Sequence, residues 1–411
     1  MNKLEPKIAR KIIEIVGGFG IPPEYGVQFF TVGLEPYLSV IENEYLATFI
    51  KEGGSTFKMV IGNYGGGKTH FLYCVRNIAW RHNFAVSYVS LNPNTCPFHQ
   101  LEQVYSEIVR NITLPLRPEE LISENYEKGI CSIIRRWFNE KFQEFSKNGL
   151  SGEDLKKELL NYLNNIRDIE SSSFENGIKS AFKALLYGQE DDFNIICAWL
   201  KGEPYNRKIH QKFGILEKID KTKAFLMIRS LTEWIKKIGY SGLVILFDEA
   251  ELRGSLSGKQ KEHLLANLRH LIDECSHTFK SVMFFYAVPD ENFLEGRELI
   301  YEALKQRVNT VFDNKINPSG VKIYLEKLVY KPSEVLCKIG SKLTQIYEVA
   351  YNHKFDNASS NKTIELVAEK AYDSRFGDIG YKRDFVKMLI KALHFLKEKG
   401  RPPSEEELKN I

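Results

Sequence analysis

Thr56-Phe57-Lys58-Met59-Val60-Ile61-Gly62-Asn63-Tyr64-Gly65-Gly66-Gly67-Lys68-Thr69 is the stretch that decides how this chain folds. Its first six residues predict a strand and Phe71 to Ala79 predict a helix, so the octet between them lies in a strand-loop-helix setting. That octet matches G-x-x-x-x-G-K-[ST], the pattern of a phosphate-binding loop. Glycines at 62, 65, 66 and 67 let backbone N–H groups turn inward around phosphate oxygens, a path that Cβ atoms would obstruct. In such a loop Lys68 reaches the β- and γ-phosphates and Thr69 offers its hydroxyl to Mg²⁺. The helix beginning there aims its positive end at the anion. Asn63 and Tyr64 complete the cradle and His70 follows it, so a nucleoside triphosphate with Mg²⁺ is the expected ligand.

Working outward, Ala85 to Leu91 predicts a second strand and His99 to Asn111 a helix. The unbroken apolar run Leu243-Val244-Ile245-Leu246-Phe247 then ends in Asp248-Glu249, and a further strand follows at Ser281 to Ala287. Continuous apolar runs suit strands covered by helices on both faces, so the alternation predicts an α/β fold with a parallel sheet. A carboxylate at the end of a buried strand beside a phosphate loop can serve Mg²⁺, and a second one beside it can polarise an attacking water. Asp248 is the expected metal-side carboxylate and Glu249 the catalytic base, with Glu251 a lesser alternative for the base. Asn92, after the second strand, could bond Glu249, although a turn before Pro93 accounts for it too.

Five parts are expected along the chain: an N-terminal lead-in (1–55), a first core segment (56–112), a helical insertion (113–222), a second core segment (223–318) and a C-terminal helical lid (319–411) that reads as entirely helical. Phosphoryl transfer gains from positive charge at the γ-phosphate, often an arginine lent by a neighbouring subunit. Arg307, near the end of a predicted helix, is the catalytic candidate, with an exposed helix-terminal arginine as the plain alternative. Arg383 opens the lid helix of Phe385, Met388, Leu389, Ala392, Leu393 and Leu396. A cation at a helix N-terminus disfavours that helix, which points to an outside anion such as nucleotide phosphate. His263, His270 and His277 recur every seven residues without the carboxylate and histidine spacing of a metal site.

The 411 residues are 43% apolar and 12% aromatic, enough for a large core, and the net charge of +4 permits contact with DNA without demanding it. Six scattered cysteines with no C-x-x-C pair suit reduced thiols in a cytosol. The opening Met1-Asn2-Lys3-Leu4-Glu5-Pro6 lacks the apolar core of a signal peptide, and the longest apolar runs are strand-sized. A cytoplasmic protein without membrane contact is expected.

With the loop, the Asp248-Glu249 strand, Arg307 and Arg383 in this order, the chain resembles AAA+ ATPases of the helical-lid, origin-loader-like type. Further stretches extend the likeness: Gly26 to Gly33, the Val104-Tyr105 helix, Trp199-Leu200-Lys201-Gly202-Glu203, Gly239-Tyr240-Ser241-Gly242-Leu243 and Asn267-Leu268-Arg269-His270-Leu271-Ile272-Asp273. Together they resemble the ATP-binding proteins of bacterial and archaeal BREX phage-defence systems over nearly the whole chain. The resemblance implies ATP as the nucleotide and an oligomeric ATPase working with other defence-system proteins around DNA. It implies Gly62 to Thr69 on nucleotide, Asp248 on Mg²⁺ and Glu249 as the water-activating base. AAA+ enzymes usually end the third strand with a polar γ-phosphate sensor, where this chain has Ala287-Val288-Pro289 before Asp290. The residues also leave open a nucleotide-gated scaffold with little turnover, or a DNA-binding initiator or loader.

Overall fold

Six strands form one sheet: β1 (Ser55–Ile61), β2 (Ala85–Ser90), β3 (Ile112–Thr113), β4 (Leu243–Asp248), β5 (Val282–Val288) and β6 (Lys322–Tyr324), in the spatial order β3-β2-β4-β5-β1-β6. They belong to a computed structural model that describes residues 4–92, 94–123, 125–250, 256–290, 299–313, 317–326, 331–373 and 380–410. All pairings among these strands are parallel except that of the two-residue β3 with β2. Parallel neighbours need crossover helices, which cover both faces, and β4 and β5 are accordingly buried along their whole length. The expected α/β class with a mostly parallel sheet, a helical insertion and a C-terminal helical region is the architecture observed.

Register and parity place the functional residues. Ile61 lies opposite Val288 and Ser90 opposite Asp248, so the carboxyl ends of the central strands share one edge. Along β4, Leu243, Ile245 and Phe247 pack on one face, while Val244 and Leu246 join Phe71, Leu72 and Val75 of the Lys68–Arg81 helix on the other. With a period of two, Asp248 falls on the side of that helix. The same parity on β2 gives Tyr88 and Ser90 this face too.

The insertion has no core of its own. Its helices Ile130–Lys147, Gly152–Asn164, Ser172–Leu186 and Glu190–Leu200 share one apolar cluster with the first face of the sheet. Trp137 ties them together, its ring centroid 4.6 Å from that of Phe182 and 5.8 Å from that of Trp234 in the Ala224–Lys237 helix.

Two features depart from the sequence reading. The core sheet continues past position 318, because Lys322–Tyr324 pairs with β1 from Met59↔Lys322 to Ile61↔Tyr324. Three residues are too few to display a period, and the strand exists because β1 would otherwise present an open edge. The N-terminal helix Pro6–Phe19 packs with the helices Pro332–Tyr351, Asn357–Asp373 and Tyr381–Lys399 in a separate cluster, so the lead-in helps to build the lid. Gly17 makes that approach possible, since a Cβ there would stand 2.7 Å from Ile390 Cγ2.

The helix expected over Leu38 to Glu52 begins at Glu35–Val40 and widens through Ile41–Phe49, where Ile50 N donates to Tyr45 O at 2.9 Å. Beneath it lies Lys58 of β1, fully buried, its ammonium donating to Tyr45 Oη at 2.8 Å and Gly320 O at 2.7 Å.

Candidate nucleotide site

The turn after β1 follows the path its glycines predict. Gly65 and Gly67 take φ of +73° and +105°, in the left-handed region that L side chains avoid, and Gly67 caps the Lys68–Arg81 helix. Gly66 N donates to Asn63 O at 2.8 Å, closing the turn. Lys68, 6% exposed, donates to Gly62 O at 2.8 Å and Asn63 O at 3.2 Å, so its ammonium is held along the inside of the loop. Asn63 N donates to Glu326 Oε1 at 2.7 Å, just beyond β6. A cavity of about 430 Å³ opens here, lined by Tyr64 to His70, Asp248, Glu249 and Arg383 among others.

Asp248, 1% exposed, faces the first turn of that helix. Its Oδ2 accepts the Thr69 hydroxyl at 2.7 Å and the Tyr88 phenol at 2.5 Å, and its Oδ1 accepts Glu249 N at 2.8 Å. Three donors offset the cost of burying a carboxylate. Burial first, and then the neighbouring Asp248, push the Tyr88 phenol far above its ordinary pKa, so it remains a donor. Glu249 sits at φ +60°, a left-handed conformation that costs roughly 1–3 kcal/mol in a residue with a Cβ. Its carboxylate accepts the Ser90 hydroxyl. The hydroxyl of Thr69 and the carboxylate of Asp248 are hard oxygen donors of the kind Mg²⁺ takes.

The lid closes one side. Gly380 N donates to Tyr64 O at 2.9 Å, Lys382 Nζ to Gly66 O at 3.0 Å and Arg383 Nη1 to Tyr64 Oη at 2.8 Å. The Arg383 guanidinium also lies 4.7 Å from the centroid of the Tyr64 ring. His70 shares a hydrogen bond of 2.8 Å with the Thr31 hydroxyl and meets Phe30 edge-on. Burial, aided by Lys382, lowers its pKa to about 4, so the ring is neutral near pH 7. Ile21, Pro22, Phe30, Val335 and Ile339 make the rest of the cavity apolar.

The structure thus brings Gly62 to His70, Asp248, Glu249 and Arg383 to one cavity. Arg307 is elsewhere: on the Leu299–Val308 helix it pairs with Asp273 and donates to Ala303 O at 2.8 Å, and it does not line the cavity of its own chain. Glu251 lies outside the described residues. Asn92 lines the cavity, but its Oδ1 caps Asn94 N at 2.9 Å, and it is Ser90 that bonds Glu249. Tyr88, Ser90, Lys382 and Glu326 were missed from sequence. Strand parity on β2 is a signal that could have found the first two; nothing local marks Glu326.

Among the described residues no helix is long and apolar enough to cross a membrane. No curated protein matches the chain. Among solved structures it is similar to the ORC2 protein of Aeropyrum pernix in its ADP form, at 14% identity and a TM-score of 0.45 over 98% of this chain and 71% of that one. It is also similar to domain III of the replication initiation protein DnaA of Thermotoga maritima, at 13% identity and a TM-score of 0.37 over 94% of this chain and 95% of that one. The family model described as "BREX system ATP-binding protein BrxC/D" matches residues 4–410, and the chain therefore belongs to that family.

Proposed function

We propose that this chain binds ATP with Mg²⁺ and hydrolyses it, as a motor or switch component of a DNA-associated BREX defence complex in which it works as an oligomer with other proteins of the system. The observation that carries the reading is the 2.7 Å hydrogen bond between Thr69 and Asp248, made inside a cavity walled by a glycine loop and a basic lid. Two segments far apart in sequence converge where a metal-bound triphosphate needs them.

In this reading the loop amides and Lys68 hold the phosphates, and the apolar end of the cavity takes the nucleoside. Thr69 and Asp248 would hold Mg²⁺, which supplies neutralising charge for the phosphates. Glu249 takes a proton from the water that attacks the γ-phosphorus, as the bond to the bridging oxygen breaks and ADP leaves. Arg383 and Lys382 bring lid cations to the phosphate end. Arg307 would act on a neighbour's nucleotide, which requires it to leave Asp273.

The test is Glu249→Gln beside wild type, with ATP binding and phosphate release measured on the same samples. A hydrolase loses turnover and keeps binding. A second reading has support in the lid, whose three hydrogen bonds to Tyr64 and Gly66 let nucleotide occupancy alter lid docking without hydrolysis. A scaffold of that kind would show negligible phosphate release in wild type, and wild type that binds no ATP would refute both readings.

A further inference from the structure

Away from the nucleotide cavity, two cysteines of the helical insertion face each other. Cys131 lies in the first turn of the Ile130–Lys147 helix and Cys197 in the last turn of the Glu190–Leu200 helix. The helix register is fixed one turn away, where Arg135 pairs with Glu190 and its guanidinium lies 4.2 Å from the centroid of the Phe193 ring. Cys131 is four residues before Arg135 and Cys197 four residues after Phe193, so an antiparallel pair in this register sets one sulfur opposite the other. The two thiols are hydrogen-bonded to each other. Cys131 is half-buried and open to small solutes, whereas Cys197 is buried at 3% exposure.

The surroundings make the two sulfurs unequal. Cys131 is held below the usual thiol range by the hydrogen bond from Cys197, and next by the cations Lys201 and Arg135, which outweigh its burial. Cys197 is pushed far up by its bond to Cys131 and by burial. An accessible thiolate with a protonated thiol against it is the arrangement of an attacking cysteine and its resolving partner.

We infer that Cys131 and Cys197 form a reversible redox pair, a modification site for hydroperoxides independent of the nucleotide chemistry. The Cys131 thiolate attacks a peroxide oxygen; the S–O bond forms, the O–O bond breaks, and the departing oxygen takes up a proton. The Cys197 sulfur then attacks the sulfenic sulfur. An S–S bond forms and the S–O bond breaks, Cys197 giving up its proton as water leaves. For hydrogen peroxide the sum is two thiols and one peroxide giving one disulfide and two waters, so the pair loses two electrons and the peroxide gains them. Reduction by an external thiol restores the dithiol.

The experiment treats the reduced full-length chain with one equivalent of hydrogen peroxide, blocks remaining thiols with N-ethylmaleimide and maps the peptides by mass spectrometry. The expected result is a linked peptide pair carrying Cys131 and Cys197, lost after dithiothreitol, while half-buried Cys337 is alkylated as before. In Cys197→Ser the expected product is a Cys131 sulfenic acid trapped by dimedone. A Cys131 that reacts no faster than Cys337 overturns the inference, and so does oxidation of Cys131 in wild type to sulfinic acid without a link to Cys197. Both readouts need only the wild-type fold, and neither depends on ATP.

Discussion

Removing one oxygen tests how the metal-side carboxylate is held. Tyr88→Phe deletes the phenol that donates to Asp248 Oδ2 at 2.5 Å and leaves the ring in its place beside Tyr73, 5.3 Å away between centroids. Asp248 is 1% exposed, so water cannot readily replace the lost donor. A hydrogen bond to a charged group is worth about 1.5–3 kcal/mol, and that is the expected loss of unfolding free energy. The same carboxylate also accepts Thr69, so the freed Asp248 should hold the Thr69 hydroxyl less well and raise the Mg²⁺ concentration needed for nucleotide binding, by about tenfold for each 1.4 kcal/mol. Urea unfolding of both proteins gives the first quantity, and a titration of fluorescent ATP analogue against Mg²⁺ gives the second. A variant within about 0.5 kcal/mol of wild type, the range of surface substitutions, would show that the phenol does not sustain the buried charge.

Lys68→Ala should weaken nucleotide binding about tenfold to a hundredfold through the loss of charged hydrogen bonds, read by equilibrium binding, while unchanged affinity would remove the lysine from the site. Lys58, buried without a carboxylate, has its pKa lowered by burial from 10.5 to about 7. Below pH 7 it is charged in both states and the full cost of burial stands; above pH 7 the unfolded chain holds the extra proton, so stability rises with pH until about 10.5. Wild type should therefore gain on the order of 2 kcal/mol over Lys58→Met between pH 7 and 8.5, measured by urea unfolding at each pH. Gly65→Ala must adopt φ +73° with its Cβ 2.9 Å from Gly380 Cα, so it should loosen the lid from the loop. Proteolysis of the lid, faster in the variant than in wild type, is the check.

Much of the site is legible in the sequence because it is local. The glycine octet needs positive φ and close backbone approach, which are properties of the residues themselves, and Asp248 needs an apolar strand in front of it. The lid helix shows its apolar period from Phe385 to Leu396, and Arg383 follows from its place at that helix start. Tyr88 and Ser90 are different: alone they look like ordinary strand residues, and they matter because Ser90 pairs opposite Asp248. Glu326 acquires a partner in Asn63 only when β6 adds to the sheet edge.

By itself, the sequence determined the phosphate loop, the acidic strand end and the α/β class, since each rests on short-range sterics or a repeat that neighbouring residues declare. Tertiary structure decided that the N-terminal helix joins the lid, that Arg307 rests on Asp273 and that Cys131 meets Cys197. Those contacts arise from strand order and helix register, and bring together residues whose separation along the chain carries no signal of their distance in space.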